Sequence, residues 1–340
     1  MSKLIVCKDL HVRSNKPYYL AQTDFIEWLG NQDWNNENNS ILFLGDLFHE
    51  ANPDSLSNSL VLDLFENKIK TKKSYILCGN NAHEYNSIKK SHAIDILSPL
   101  NKNIELIFKP SILEISNIKC LILPFINKKE FIPVEYKSMR EYYENLPDEF
   151  KSIKYDFLFS HIEDETIQFS KTHKGINLSY LNITERIQGH IHNAKPNYNL
   201  GMPVLSRYDE KDEKPQILII DTQSKEKTYI DVPEFIQFYD IEYNVDLLDK
   251  KFNSKYKIFT IKECININSA KEMYNEKYKK QIENNEFYFR KFELKKEKID
   301  NENLLNVQVK NNLSLKNFLN DFFEINKISN KVRERINNKI

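Results

Sequence analysis

Five short stretches of this chain carry residue types that bind cations or move protons, and all five have one layout. KDLH at 8–11, GDLFHE at 45–50, CGNNAHE at 78–84, FSHIE at 159–163 and GHIH at 189–192 each close an apolar run. Asp9 and His11 are separated by one residue, as are His190 and His192, so on extended backbone both members of a pair project to the same side. Asp46, Asn80 and His161 stand singly at the ends of their runs. Of the eight histidines, His11, His49, His83, His161, His190 and His192 fall at such ends, leaving His92 and His173 outside the pattern. Oxygen and imidazole donors without a thiolate suit Mn, Fe, Zn or Mg rather than copper. The seven donors Asp9, His11, Asp46, Asn80, His161, His190 and His192 are too many for one ion. They suit two divalent ions about 3.5–4 Å apart and bridged by a carboxylate, a clamp for the attacking and leaving oxygens of a phosphoryl displacement.

The elements that must position these residues follow from the apolar pattern. The runs within 4–11, 41–50, 75–83 and 155–163 read as buried strands, each followed by a loop. Further strand-like runs at 104–108, 119–125 and 216–221 alternate with helical candidates such as 54–69. Strand and helix in alternation indicate an α/β layered domain, in which sites assemble at the carboxyl ends of strands. After Pro215 the pattern changes. Residues 234–243 and 287–296 read as antiparallel strands with a helix over 268–285 between them, a smaller α+β module. Lys and Arg outnumber Asp and Glu over 251–300 and are interleaved with Tyr256, Tyr274, Tyr278, Phe287 and Tyr288, a surface able to track a phosphate backbone. Near the end, Leu315, Phe318, Leu319, Phe322 and Phe323 repeat at helical spacing behind Ser314 as N-cap. That apolar face either packs on its own domain or docks in a partner's groove.

Composition narrows the class. In 340 residues, 49 Lys and Arg balance 49 Asp and Glu, so net charge announces no polyanionic partner. Hydrophobic residues make up 40% without a run of about 18 that would span a membrane, and the N-terminus lacks a signal-peptide pattern, so a cytoplasmic protein is expected. Cys7, Cys78, Cys120 and Cys264 are far apart with no CxxC pairing, which suits reduced core residues.

The series KDLH, GDLFHE, CGN, FSHIE and GHIH resembles the calcineurin-like metallophosphoesterases across roughly residues 1–225. GDLFHEANPDS is most similar to the SbcD-type DNA nucleases, including the phage recombination endonuclease subunit. The resemblance implies a two-sheet β-sandwich flanked by helices over 1–226 and a small α+β capping, DNA-binding domain over 227–300. A C-terminal helical segment over 301–340 would bind an ATPase partner. It implies that Asp9, His11 and His192 hold one ion and Asn80, His161 and His190 the other, with Asp46 bridging. The ions would be Mn2+, with Mg2+ an alternative. The implied activity is metal-dependent hydrolysis of DNA phosphodiesters in repair and recombination, exonucleolytic on duplex ends and endonucleolytic on single strands. The implied partners are DNA, an SbcC-type coiled-coil ATPase docked on the tail helix, and a second copy in a homodimer, in a host cytoplasm if the chain is phage-encoded. Alternatives are a phosphoesterase acting on a nucleotide or phosphoprotein, and an inert DNA- or ATPase-binding scaffold.

One departure bears on turnover. The family's proton-donating histidine and its supporting aspartate match Asn81 and Ala82. Asn81 cannot deliver a proton near neutral pH and Ala82 orients nothing. Three assignments are open: the donor is lost and the site disabled, which the sequence favours; Asn81 and Ala82 act as an insertion, so that His83 and Glu84 replace the usual pair; or His49 takes the role.

Overall fold

A computed structural model describes residues 2–100, 103–126, 129–165, 175–192 and 200–295, without the side chains of Asn81 and Glu130. The expected tail helix with Leu315, Phe318, Leu319, Phe322 and Phe323, and the whole 301–340 segment, lie outside the described residues.

In chain order the main elements are β1 (Lys3–Cys7), α1 (Tyr18–Gly30), β2 (Ser40–Phe43), α2 (Ser55–Asp63) and β3 (Lys73–Leu77). A one-turn α3 (Asn81–Glu84) precedes a short hairpin, β4 (Tyr85–Asn86) and β5 (Ser91–His92). There follow β6 (Ile104–Ile107), β7 (Ser111–Ile115), β8 (Ile118–Leu123), α4 (Met139–Glu144), α5 (Asp148–Lys151), β9 (Lys154–Ser160) and β10 (Asn182–Gln188). The described chain closes with β11 (Gln216–Asp221), β12 (Lys227–Asp231), β13 (Ile236–Glu242), β14 (Tyr256–Cys264), α6 (Ile267–Lys277), α7 (Lys279–Glu283) and β15 (Phe287–Leu294).

Two sheets stack face to face. The first runs β12-β11-β1-β2-β3-β6 and the second β10-β9-β8-β7. Alternation along the strands sorts the side chains: Leu4 and Val6 of β1 and Leu42 of β2 point into the layer between the sheets, where they join Cys120, Ile122, Phe157 and Phe159. Ile5, Cys7, Ile41 and Phe43 point the other way, onto Ala21, Phe25 and Leu29 of α1 and Leu60 and Val61 of α2. The outer face of the second sheet, with Leu121, Leu123, Tyr155 and Leu158, is covered by Tyr142 and Tyr143 of α4 and Phe150 of α5. Burying each such side chain contributes about 1.5–3 kcal/mol, so the helix–sheet–sheet–helix layering is the way this pattern removes most apolar surface from water. The chain is thus an α/β protein built on a two-sheet sandwich flanked by helices. All four cysteines are buried and in the thiol form.

The third sheet, β13-β14-β15, differs from the sequence expectation. Its neighbouring strands are parallel, not antiparallel. Helices α6 and α7 carry the chain back from the end of β14 to the start of β15, and such a crossover can only deliver a parallel neighbour. The expected boundary near 227 also moves: β12 pairs antiparallel with β11 as the edge of the first sheet, so the third sheet begins at Ile236. Ile236, Phe238, Tyr256 and Ile258 enter the same core as α1 and α2, which ties this third sheet to the sandwich. Its own core, with Phe259, Tyr274, Tyr278 and Phe287, lies under α6 and α7. No helix among the described residues is long and apolar enough to cross a membrane.

Candidate metal centre

β1, β2 and β3 are mutually parallel, as are β8, β9 and β10, so their carboxyl ends share one edge of the sandwich. Asp9 and His11 follow β1, Asp46 follows β2 and Asn80 follows β3, all from the first sheet. His161 follows β9 and His190 and His192 follow β10, from the second. Backbone bonds lock these loops together: His11 N–H donates to Asp46 O at 2.9 Å, His161 N–H to Leu123 O at 3.0 Å and Gly189 N–H to Ser160 O at 2.8 Å. From α1 the buried Gln22 Nε2 donates to Leu10 O at 3.0 Å and His11 O at 2.7 Å, holding the Asp9–His11 turn.

The backbone is bent to aim these side chains. Asp9 (φ 43°), His11 (φ 48°), Asp46 (φ 46°) and His190 (φ 65°) all occupy the left-handed region that side-chain-bearing residues avoid. Such conformations cost of order 1–3 kcal/mol each and persist where the surroundings over-determine them. Two glycines make room. A Cβ on Gly45 (φ 94°) would lie 2.4 Å from His161 Nδ1, and one on Gly79 would lie 2.1 Å from Asp46 Oδ1.

Three groups have ligand atoms within 4.8 Å of one another, His11–His49–His83, Asp9–His11–His192 and Asp46–His161–His190, and the last two hold six of the seven expected donors. Asp46 faces both: Oδ1 is 3.3 Å from His161 Nε2 and Oδ2 is 3.9 Å from His11 Nε2. His11 Nε2 and His192 Nε2 converge to 3.0 Å. His190 N–H donates to Asp9 Oδ1 at 3.1 Å. Asp9 Oδ2 and His161 Nε2 are buried polar atoms with no hydrogen-bond partner among the described residues. Unsatisfied buried donors and acceptors aimed at one place fit a bound cation, and this oxygen and imidazole set is chemically suited to two divalent ions. The imidazoles are oriented from behind: His161 Nδ1 is 2.6 Å from Leu44 O, and His192 Nδ1 is 2.5 Å from the fully buried Glu210.

Charge follows burial and pairing. Burial opposes a charge on His161, but Asp46 and Asp9 hold its pKa up to about 9. Burial likewise opposes the Asp46 carboxylate, and His161 and His11 still hold its pKa below the usual range. Burial drives His11 well below its ordinary value, and His190 down to about 4 with help from His161. Lys8, wholly buried beside Asp9, falls to about 8 by burial and donates to Ile191 O at 2.5 Å.

Asn80 sits differently from the ligand role expected of it. Its Nδ2 donates to Asp46 Oδ2 at 2.9 Å and its Oδ1 accepts from Ala82 N–H at 3.0 Å, capping α3. As placed, Asn80 holds the shared carboxylate; a half-turn of the amide exchanges its oxygen and nitrogen and would turn the oxygen toward the centre.

The loop after it answers part of the question raised by Asn81 and Ala82. Ala82 contributes only backbone, its carbonyl accepting from Ala51 N–H at 3.2 Å. One helical turn brings His83 into the cluster, with Nε2 3.9 Å from Asp46 Oδ2 and its ring 4.5 Å from that of His11. His83 Nδ1 bonds the carbonyl of His49. Glu84 does not support His83: it is fully buried and accepts from Leu47 N–H at 2.9 Å, with its pKa raised well above the usual range by burial and by Asp46. His49 lies beside His83, ring centroids 5.4 Å apart, with Nε2 3.3 Å from Arg13 Nη1. Burial, then Arg13 and His83, push His49 down to about 4.

Arg13, Lys8 and Glu210 were not singled out from sequence. Arg13, two residues past His11, could have been found from spacing; Glu210 has no local signal because its partner His192 is 18 residues away. Beside Arg13 and His49 opens a cleft of about 280 Å3, also lined by Ser14, Asn15 and Asp54. A larger cleft of about 630 Å3, by Lys3, Trp34 and Thr228, lacks the ligand cluster.

No family model matches the chain, and no curated protein matches it. Among solved structures the chain is similar to one described as a novel archaeal phosphodiesterase. The identity is 14%, the match covers 68% of this chain and 99% of that one, and the TM-score is 0.35. The functional reading rests on the chain's own side chains.

Proposed function

We propose that the chain is a two-metal phosphodiesterase whose substrate is DNA, the nuclease subunit of an SbcCD-like repair or recombination complex. The observation that carries the phosphoesterase reading is Asp46, whose two oxygens face two separate groups of donors, each drawn from both sheets. Asp9, His11 and His192 would hold one ion and Asp46, His161 and His190 the other, with Mn2+ as the first candidate and Mg2+ the second. Bound there, the ions would supply an activated water and neutralise charge on the phosphoryl oxygens.

The chain's own groups do the rest. His83 Nδ1–H is fixed on the His49 carbonyl, so Nε2 is the nitrogen left to hand a proton to the leaving oxygen, and a side chain 22% exposed can be recharged by water. His49 is held neutral by burial and Arg13, which does not suit a proton source. The geometry therefore favours the displaced donor, His83, over a disabled site. Arg13 lines the cleft beside His49.

The choice of DNA rests on the likeness of GDLFHEANPDS to the SbcD-type nucleases and on the basic, tyrosine-bearing stretch over 251–300. An SbcC-type ATPase and a second copy of the chain complete the proposed assembly. The test is Mn2+-dependent cleavage of end-labelled duplex and circular single-stranded DNA, beside a phosphopeptide and a mononucleotide. Cleavage of DNA above the other two is expected. Turnover of the phosphopeptide alone would move the chain to the phosphatase alternative, and metal-dependent DNA binding without any turnover would make it a scaffold.

A further inference from the structure

We propose that Glu210 is a positioning residue that fixes the proton of two imidazoles at separate places around the cluster, His192 directly and His49 through Ser206 and Arg13. Only the metal-affinity arm of its test rests on His192 being a ligand. The Glu210 carboxylate is fully buried and receives five donors. Oε1 takes His192 Nδ1 at 2.5 Å, Arg207 Nε at 3.2 Å and Ser206 Oγ at 3.3 Å. Oε2 takes the backbone N–H groups of Ser206 at 2.7 Å and Arg207 at 3.0 Å. An ionised carboxylate only accepts, so His192 must carry its proton on Nδ1, which leaves the Nε2 lone pair directed at His11.

The second limb starts from the same turn. Ser206, anchored by its N–H on Glu210, offers its carbonyl to Arg13 Nη2 at 2.5 Å. The other arm of that guanidinium, Nη1, is 3.3 Å from His49 Nε2. A guanidinium only donates, so His49 Nε2 must accept and its proton sits on Nδ1, a buried atom with no partner among the described residues. One carboxylate thus sets a lone pair at the metal side and, through Arg13, the tautomer of a second imidazole beside the cleft. Glutamine cannot replace it. An amide offers one oxygen and one nitrogen, and whichever side the nitrogen takes meets another donor, either His192 Nδ1–H or the two backbone N–H groups.

The experiment uses the full chain labelled with 15N-histidine and stripped of metal, with two-bond 1H–15N spectra reporting each tautomer and a thermal melt reporting folding. In the unmodified chain both His192 and His49 are expected in the Nδ1–H form. Glu210→Gln is expected to shift at least one of the two, while Arg13→Met shifts His49 alone. Titration with Mn2+ should show affinity falling about 10–100-fold in Glu210→Gln and unchanged in Arg13→Met. Folded Glu210→Gln with both tautomers unchanged overturns the proposal, and so does Arg13→Met with His49 unchanged, a result that stands even if Glu210→Gln does not fold. Tautomers that shift with Mn2+ affinity intact uphold the positioning role and count against His192 as a ligand.

Discussion

The floor of the centre and its rim are built on different principles. The floor, Asp9, His11, Asp46, His161 and His192, is buried, comes from strand ends of two sheets and includes three residues held in left-handed backbone. The rim, His49 and His83 with Asn81 and Ala82 at the start of α3, stands on a loop and a single helical turn, and its imidazoles are partly exposed. A floor fixed by packing resists substitution because every ligand depends on the others' loops. A rim on one turn can exchange which residue supplies a proton while the floor stays as it is.

The largest effect expected is on the floor. Asp46→Asn removes one of the shared oxygens and should lower Mn2+-dependent hydrolysis of bis(p-nitrophenyl) phosphate by about 10³-fold, comparable to deleting a main electrostatic stabiliser. Calorimetric titration should show fewer ions bound. An unchanged stoichiometry would show that the two groups do not share this carboxylate.

The rim comes next. His83→Ala should slow DNA cleavage by about 10²-fold, the low end for a lost general acid, while barely changing release of p-nitrophenol, which leaves without a proton. With His83 in place, Asn81→His together with Ala82→Asp should raise DNA cleavage by less than about threefold. A rise of about tenfold or more would mean that His83 is idle and that the donor was lost with Asn81.

The smallest effect is on the pH dependence of the metal-free chain. His49 and His190 are pressed down to about 4, so between pH 4 and 6.5 the unfolded chain binds more protons and stability rises with pH. His161 is held up to about 9, so between 6.5 and 8 the folded chain holds the extra proton and stability falls, while above 8 the depressed Lys8 opposes the fall. Melting temperature in chelator should peak near pH 6.5. A steady climb from pH 6.5 to 8 would remove the Asp46–His161 pair as a charged contact.

The floor was legible in sequence because its signal is local: an apolar run fixes a strand, and a ligand at its carboxyl end fixes where the side chain arrives. Asp9, Asp46, His161 and His190 needed nothing more to be placed together. The rim was legible only as a set of alternatives. That His83 enters the centre while Glu84 turns under the loop to Leu47 depends on the phase of one helical turn, which no periodicity in four residues reveals. The cap was misread for a similar reason: two strands and a helix were visible, but the third strand between them, β14, decides that the neighbours run parallel. Glu210 acts through a bond across 18 residues, to His192, and so left no spacing to read, whereas Arg13 stands two residues past His11 and its bond to His49 spans 36.

The two ligand groups draw on both sheets, and that arrangement makes any ion bound there a rivet through the sandwich. A ligand that binds the folded chain and not the unfolded one adds stability as its concentration rises, about 2.7 kcal/mol at a hundredfold excess over its dissociation constant. Such a rivet couples the sliding of one sheet over the other to loss of the ion, so the chain's resistance to heat becomes a readout of the cation supply around it.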